Sequence, residues 1–387
     1  MTTAFHPYVS PWQPNAQLAW DTIELKPTRS IPSWLLNVME WKSLDILSGH
    51  PEGSYVKNPE HVYLDFQLKI GTCMLDQWLA TNPLSMGSHG YESNAPQSAT
   101  TGLPTIIRNG MLIDSPEAVV AHMEKHLFQE YRNWLAALEA EADSRVRSLI
   151  DEEYKLQALF GPNMLKVPYS GFQSFPSFMY GHYGYENYFM TFALYPEIME
   201  QCFKLQGAIG AQVSRIAARA IIEGKLPKLI RLDSDMADSR GMLTDIKALD
   251  KIWLPSFKHA IQPLLDAGVR LIWHCDGNLM DLVPRLLEAG IGGFQGFQYE
   301  DGMDYIKICQ MKDRNGNPLL IIAGASVTRT LPLGTPDDVA KEIKWLVANG
   351  PKVGLFLGGS SSIAPGVKIE NLRTLVEGFR YYREHGR

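Results

Sequence analysis

The segment RLIWHCDGN, residues 270–278, places an imidazole and a carboxylate two residues apart at the end of an apolar run. On an extended strand, residues two apart share a face, so His274 and Asp276 point the same way and Cys275 the opposite way. Such a pair suits a metal ion, a proton transfer or a polar anchor. A structural His–Asp hydrogen bond would use the same two residues. Three other apolar runs also end in polar groups. Leu229–Leu232 leads into Asp233, Ser234 and Asp235, then Asp238, Ser239 and Arg240, which is either a catalytic acidic loop or a solvated turn. Gly292–Phe297 leads into Gln298, Glu300, Asp301 and Asp304. Val353–Leu357 leads into Gly358-Gly359-Ser360-Ser361-Ser362. Backbone amides of a Gly-Gly-Ser run can cradle a phosphate, but no P-loop lysine accompanies this one, and a polar turn is the better reading.

A second feature is aromatic. Tyr169–Tyr188 holds eight aromatic rings together with His182. Rings at that density either wall a site for a flat or apolar ligand or pin a loop by burial.

The elements that must position these groups alternate in type. Through the second half, short apolar runs at 229–232, 271–273, 292–297, 319–322 and 353–357 are followed by helical stretches, which argues for parallel strands with crossover helices. Thr335-Pro336-Asp337-Asp338 reads as a capped helix start, with Gly350 at its end. Ile198, Cys202, Leu205, Ile209, Val213 and Ile216 recur at spacings of three and four, one buried helical stripe that ends at Gly224. In the first half, Ile31–Asn37, Met74–Leu79 and Met164–Tyr169 complete a set of eight strand candidates. Asn109-Gly110 between two β-rich triplets predicts a tight hairpin, and residues 116–159 predict long outer helices. The chain therefore reads as one α/β domain, a single (β/α)8 TIM barrel over residues 1–387. Residues 80–114 form a hairpin insertion in it and residues 116–159 a helical excursion. In such barrels the reactive groups gather at the strand C-terminal ends.

Composition narrows the function classes. The chain has 387 residues and a formal net charge of -6, without a basic block, which excludes nucleic acid as an expected partner. No apolar stretch approaches a bilayer span, and no leader pattern opens the chain, so no membrane is expected. Four cysteines, none in a CxxC pair, fit free thiols in the cytoplasm.

The order of these motifs resembles the uroporphyrinogen decarboxylase superfamily. LIWHCDGNLMDLVPRLLEAGIGGFQGFQ is similar to the unit in which a strand ends in His-x-Cys/Asp-Gly-Asn and a helix follows. The acidic loop LDSDMADSRGMLTDIKALD, and the stretches GASVTRTLPLGTPDDVAKEIKWLV and GGSSSIAPGVKIENLRTLVEGFRYY, resemble neighbouring units, so the likeness spans about residues 185–383. It implies a corrinoid-linked methyltransferase or a cofactor-free decarboxylase or lyase; a non-catalytic small-molecule-binding barrel is a third reading. The decarboxylases hold substrate carboxylates with arginines on the first strand, and RSIPSWLLNVMEWKSL has none after Arg29. The methyltransferases hold zinc with His-x-Cys and a later Cys. Here Asp276 stands at the first cysteine's place and Ser361 near the second. An oxygen-rich zinc site of His274, Asp276 and a further acid, Glu300 or Asp235, is the expected variant, suited to a methoxy or methylamine donor rather than a thiol. The resemblance thus implies catalytic roles for His274, Asp276, Asp235 and Arg240, and substrate contacts from Trp34, Asp76, Tyr169, Tyr180, His182, Gln298 and Ser361. The corrinoid would be carried by a partner protein, because no DxHxxG-type motif occurs here, and a homodimer is an allowed assembly.

Overall fold

Five of the apolar runs form the strands Leu229–Asp233, Arg270–His274, Gly293–Gly296, Leu320–Ala325 and Leu355–Gly359. In a computed structural model, which describes residues 7–8, 11–85 and 105–387, they pair in that order, all parallel, as one five-stranded sheet. Parallel neighbours need crossover connections. Helices Leu254–Asp266, Val283–Ala289, Tyr305–Gln310 and Pro336–Asn349 supply them. The last begins with Thr335 and Asp338 in a reciprocal capping box, as its sequence predicts.

The sheet continues past its five strands through isolated parallel bridges. Ser33 bridges Leu357, Trp34 bridges Met74, and Met74–Leu75 pairs with Leu165–Lys166. Eight parallel segments therefore follow one another in chain order. The fold is mixed α/β, but the closed barrel expected from sequence needs correction: among the described residues no backbone pairing joins Leu165–Lys166 to Leu229–Asp233. The first three segments are also shorter than the sequence suggests. Pro32 and Pro168 have no N–H to donate, and each limits the ladder it adjoins.

Side chains, rather than the backbone, span that unpaired edge. Residues two apart share a face, so Arg231 and Asp233 point away from Ile230 and Leu232. Arg231 is buried. Its Nε donates to Asp76 Oδ2 at 2.7 Å, one terminal nitrogen to Asp233 Oδ2 at 2.7 Å and the other to Gln77 Oε1 at 2.8 Å. The guanidinium also lies over the rings of Trp34 and Tyr169, 5.3 and 4.7 Å from their centroids. Trp34 Nε1 donates to the other Asp76 oxygen at 3.2 Å. One cation thus ties together the ends of four chain segments.

The helices of the first half, Pro116–His122, Phe128–Ala140 and Ala142–Phe160, pack outside this sheet. Ile107–Arg108 and Met111–Leu112 pair antiparallel around Asn109-Gly110, both residues with positive φ, the geometry an Asn-Gly turn provides. Residues 86–104, the rest of the expected insertion, lie outside the described residues. Helix Pro196–Glu223 buries the predicted stripe; burial pushes the Cys202 thiol up to about 12, so it is an inert core residue. Among the described residues no helix is long and apolar enough to cross a membrane.

Arg231→Ala would leave Asp76 a buried, unpaired carboxylate, at a cost of about 3–5 kcal/mol. Denaturant unfolding should show that loss, and Arg231→Leu combined with Asp76→Leu should recover part of it. Equal stability of Arg231→Ala and the parent would remove the cation from its structural role.

Candidate active site

The parallel register decides which residues meet. His274 is the Cα partner of both Asp233 and Gln295, so all three side chains lie on the Arg231 face. Trp273 lies on the other face, packed edge-on against Trp253 and Phe257. His274 is buried, and its Nδ1–H donates to the Gln295 carbonyl at 3.3 Å. That bond leaves Nε2 facing Asp276, 3.8 Å from Oδ1. Cys275 points away, as the alternation requires. Its thiol donates to the Asp276 carbonyl at 3.0 Å, and burial pushes it up to about 12.

Asp276 is the hub. Gln298 Nε2 donates to its Oδ1 at 3.2 Å and Ser361 Oγ to its Oδ2 at 3.4 Å, while its backbone N–H donates to Asp235 Oδ1 at 3.2 Å. The carboxyl is raised above the ordinary aspartate range. Burial is the main cause, His274 opposes it, and the charges of Asp235 and Asp233 add to it. Backbone geometry locks this arrangement. Gly277 has φ 85°, its N–H donates to Gln298 Oε1 at 2.7 Å, and a Cβ there would meet the Asp238 backbone at 2.6 Å. Gly296 and Phe297 both have positive φ, 97° and 93°. For a bulky residue such as Phe297 that is strain, and here it delivers Gln298.

Above Asp276 opens a cleft of about 520 Å³, lined by Asp235, Asp238, Asp276, Asp301, Gln298, Tyr180, Tyr185 and Arg240 among others. Four of these residues are carboxylates and one is a cation. The cation is not free: Arg240 donates to Asp238 Oδ2 at 2.6 Å.

The structure therefore gathers His274, Asp276, Asp235, Gln298, Ser361, Tyr180 and Arg240 at one end of the sheet. Trp34, Asp76 and Tyr169 form the adjoining Arg231 cluster, linked to the site through Asp233, whose Oδ2 also accepts from the Tyr169 hydroxyl at 3.3 Å. Two expectations need correction. His182 does not line the cleft. It sits two residues after Tyr180 on the short helix Tyr180–Tyr183, about 200° round, and its carbonyl takes a hydrogen bond from Arg108 of the hairpin. Glu300 does not face His274 or Asp276. Its Oε1 accepts from Ser326 and Thr328, and the three residues do not bring their ligand atoms within 4.8 Å of one another. The Gly-Gly-Ser run is a strand end, with Ser360 Oγ accepting from the Val327 N–H at 3.2 Å. The aromatic stretch divides between both sequence readings: Phe175 and Phe178 pack into the core, while Tyr180 and Tyr185 wall the cleft.

Sequence reasoning missed Arg231 and Gln295. The signal for Arg231 was present, a charged residue inside the apolar run LIRLD at an inward-facing position. It also missed Glu342, whose Oε1 accepts from the Ser326 N–H at 2.8 Å and whose Oε2 is buried without a partner.

No protein family and no curated protein matches the chain. Among solved structures, a methyltransferase from Methanosarcina mazei superposes with a TM-score of 0.53 at 14% identity, covering 95% of this chain and 98% of its own. At that identity the likeness is one of fold. A B12-independent methionine synthase from Shewanella sp. W3-18-1 covers 48% of this chain and 56% of its own at 13% identity, with a TM-score of 0.28, too low to carry an argument.

Burial pushes Glu342 up to about 7 from an ordinary 4.5. Between those values the folded protein keeps a proton that the unfolded chain has lost, so stability falls as pH rises from 4.5 through 7. Glu342→Gln should flatten that part of the profile and raise stability at pH 8 relative to the parent. Urea midpoints at pH 5 and pH 8 check this; the same slope in both proteins would count against it.

Proposed function

We propose that this protein is a methyltransferase on a uroporphyrinogen decarboxylase-like α/β scaffold of eight parallel segments, taking a methyl group from a small methoxy or methylamine donor. The observation that carries the proposal is a raised-pKa carboxyl beside an imidazole, in a cleft whose charged groups are four carboxylates and one arginine. A carboxyl that keeps its proton can protonate a leaving group. An acidic lining favours a neutral or cationic donor. It disfavours a polycarboxylate, because each Arg231 nitrogen already donates to a protein side chain and Arg240 is paired with Asp238. The fold neighbour's description as a methyltransferase is compatible with this reading.

The residues do not fit a preformed zinc site. His274 and Asp276 offer two ligand atoms 3.8 Å apart, Glu300 is committed elsewhere, and Asp235 does not complete a group of three ligand atoms within 4.8 Å of one another. No step is therefore assigned to a metal. A corrinoid held by a separate protein would supply the nucleophile that takes the methyl group. The exposed cleft rim at Asp235, Ser239 and Arg240 leaves it a route from solvent. The chain's own part is the leaving group. As the methyl–oxygen bond breaks, its electron pair stays on oxygen, and Asp276 gives that oxygen its proton. His274 Nε2 faces the resulting carboxylate, which an imidazolium N–H at that atom would stabilise. Gln298 and Ser361 hold the carboxyl in place, and Tyr180 and Tyr185 form the wall against which the donor rests. The free thiols suit the cytoplasm.

The test uses a panel of methoxy and methylamine compounds with free cob(I)alamin as acceptor, followed by loss of cob(I) absorbance. At least one donor should react. Asp276→Asn and His274→Ala should each lower kcat by about 10²-fold or more. The parent's kcat should fall as pH rises through the raised Asp276 pKa, and no such limb should remain in Asp276→Asn. Asp276→Asn should melt no lower than the parent at neutral pH, since a raised carboxyl pKa stabilises only at low pH. Failure of every donor, or CO₂ release from a carboxylate panel instead, would replace this reading with that of a decarboxylase or a binding protein.

A further inference from the structure

Away from the cleft, two histidines and an aspartate converge on the outer side of the first half. His61 and Asp65 are four residues apart on helix Pro59–Ile70, which turns Val62, Tyr63, Phe66 and Ile70 into the core and leaves the other two facing out. His50 comes from the loop after helix Trp41–Ser48. Its Nε2 lies 2.8 Å from Asp65 Oδ2, and His61 Nε2 lies 3.4 Å from the same oxygen. All three ligand atoms lie within 4.8 Å of one another, the sole such group of three among the described residues. The two imidazole rings are 5.5 Å apart at 68°. Four ligands placed tetrahedrally at ~2.0–2.2 Å from zinc are about 3.3–3.6 Å from each other, so small side-chain shifts bring these atoms to that spacing.

The site is also preorganised. Gly49, with φ 79°, ends the preceding helix, and the His50 N–H donates to the Asp45 carbonyl at 2.9 Å. The buried Asp45 carboxylate accepts from the Gly53 and Tyr55 N–H groups, each at 2.7 Å, which fixes the far side of the loop. Among the described residues no lysine or arginine forms an ion pair with Asp65. The His61 side chain is 57% exposed, so water has access to a fourth position.

We propose that His50, His61 and Asp65 bind a divalent transition-metal ion of the zinc type, which staples the 49–53 loop to helix Pro59–Ile70 at a site separate from the cleft above Asp276. Imidazole and carboxylate are ligands that such ions accept, and two imidazoles select against magnesium and calcium.

The experiment titrates Zn²⁺ alone into chelator-treated full-length protein by calorimetry. One equivalent should bind. His50→Ala and His61→Ala should each weaken binding by at least ~10-fold, the lower bound for loss of even an outer-shell partner. Zn²⁺ should raise the melting temperature of the parent and not that of either variant. Because His61 is exposed, His61→Ala should match the metal-free parent in circular dichroism. His274→Ala should keep the full equivalent. Absence of saturable binding, parent-like affinity in both variants, or loss of the equivalent in His274→Ala would each overturn the proposal.

Discussion

The structure depends on one buried cation. Arg231 sits on an inward face where the backbone ladder is interrupted, and its guanidinium reaches carboxylates and rings from four segments of the chain. A buried charge is costly unless its hydrogen bonds are satisfied, and here every donor group of the side chain has a partner. The planar fork of arginine matters, because a lysine would offer a point charge and could not address Asp76, Asp233 and Gln77 from fixed directions. The same bonds place Asp233 beside the His274 strand, so the element that holds the edge also sets one wall of the site.

The electrostatics of the cleft follow from that commitment. With Arg231 neutralised and Arg240 paired at the rim, the field at Asp276 is set by neighbouring carboxylates and by partial burial. Both favour the protonated form, and His274 and the Ser361 hydrogen bond oppose them. A carboxyl at a strand end is thereby shifted toward its protonated form. Its geometry is held by a glycine that approaches the Asp238 backbone closely and by a strained Phe297. Strain concentrated at such a point is consistent with a site whose side chains must be held in place.

The lower stretch beside it, around Ser326, repeats the theme without the cleft. Glu300 and Glu342 both engage Ser326, each with one buried oxygen left unpartnered. Glu300 is therefore withdrawn from the cation site that its place in the chain suggested. A carboxylate two residues beyond Gln298 looks like a neighbour in sequence, yet the serine that follows the next strand takes up its Oε1 instead.

The sequence by itself determined the elements and the location of the chemistry. Apolar runs in the second half, the Thr335 cap, the Asn109-Gly110 turn and the i, i+2 spacing of His274 and Asp276 are local signals, and local hydrogen bonding and strand alternation act on them directly. The first half was less legible because its strand segments are two or three residues long and are held by non-local partners. Only the tertiary structure decided which inward residues face each other across strands. Register brought Asp233 and Gln295 beside His274, helical rotation carried His182 away from Tyr180, and the unpaired edge gave Arg231 its role. Those outcomes depend on contacts between residues far apart in the chain, 155 positions in the case of Asp76 and Arg231, and no local pattern encodes the distance between them.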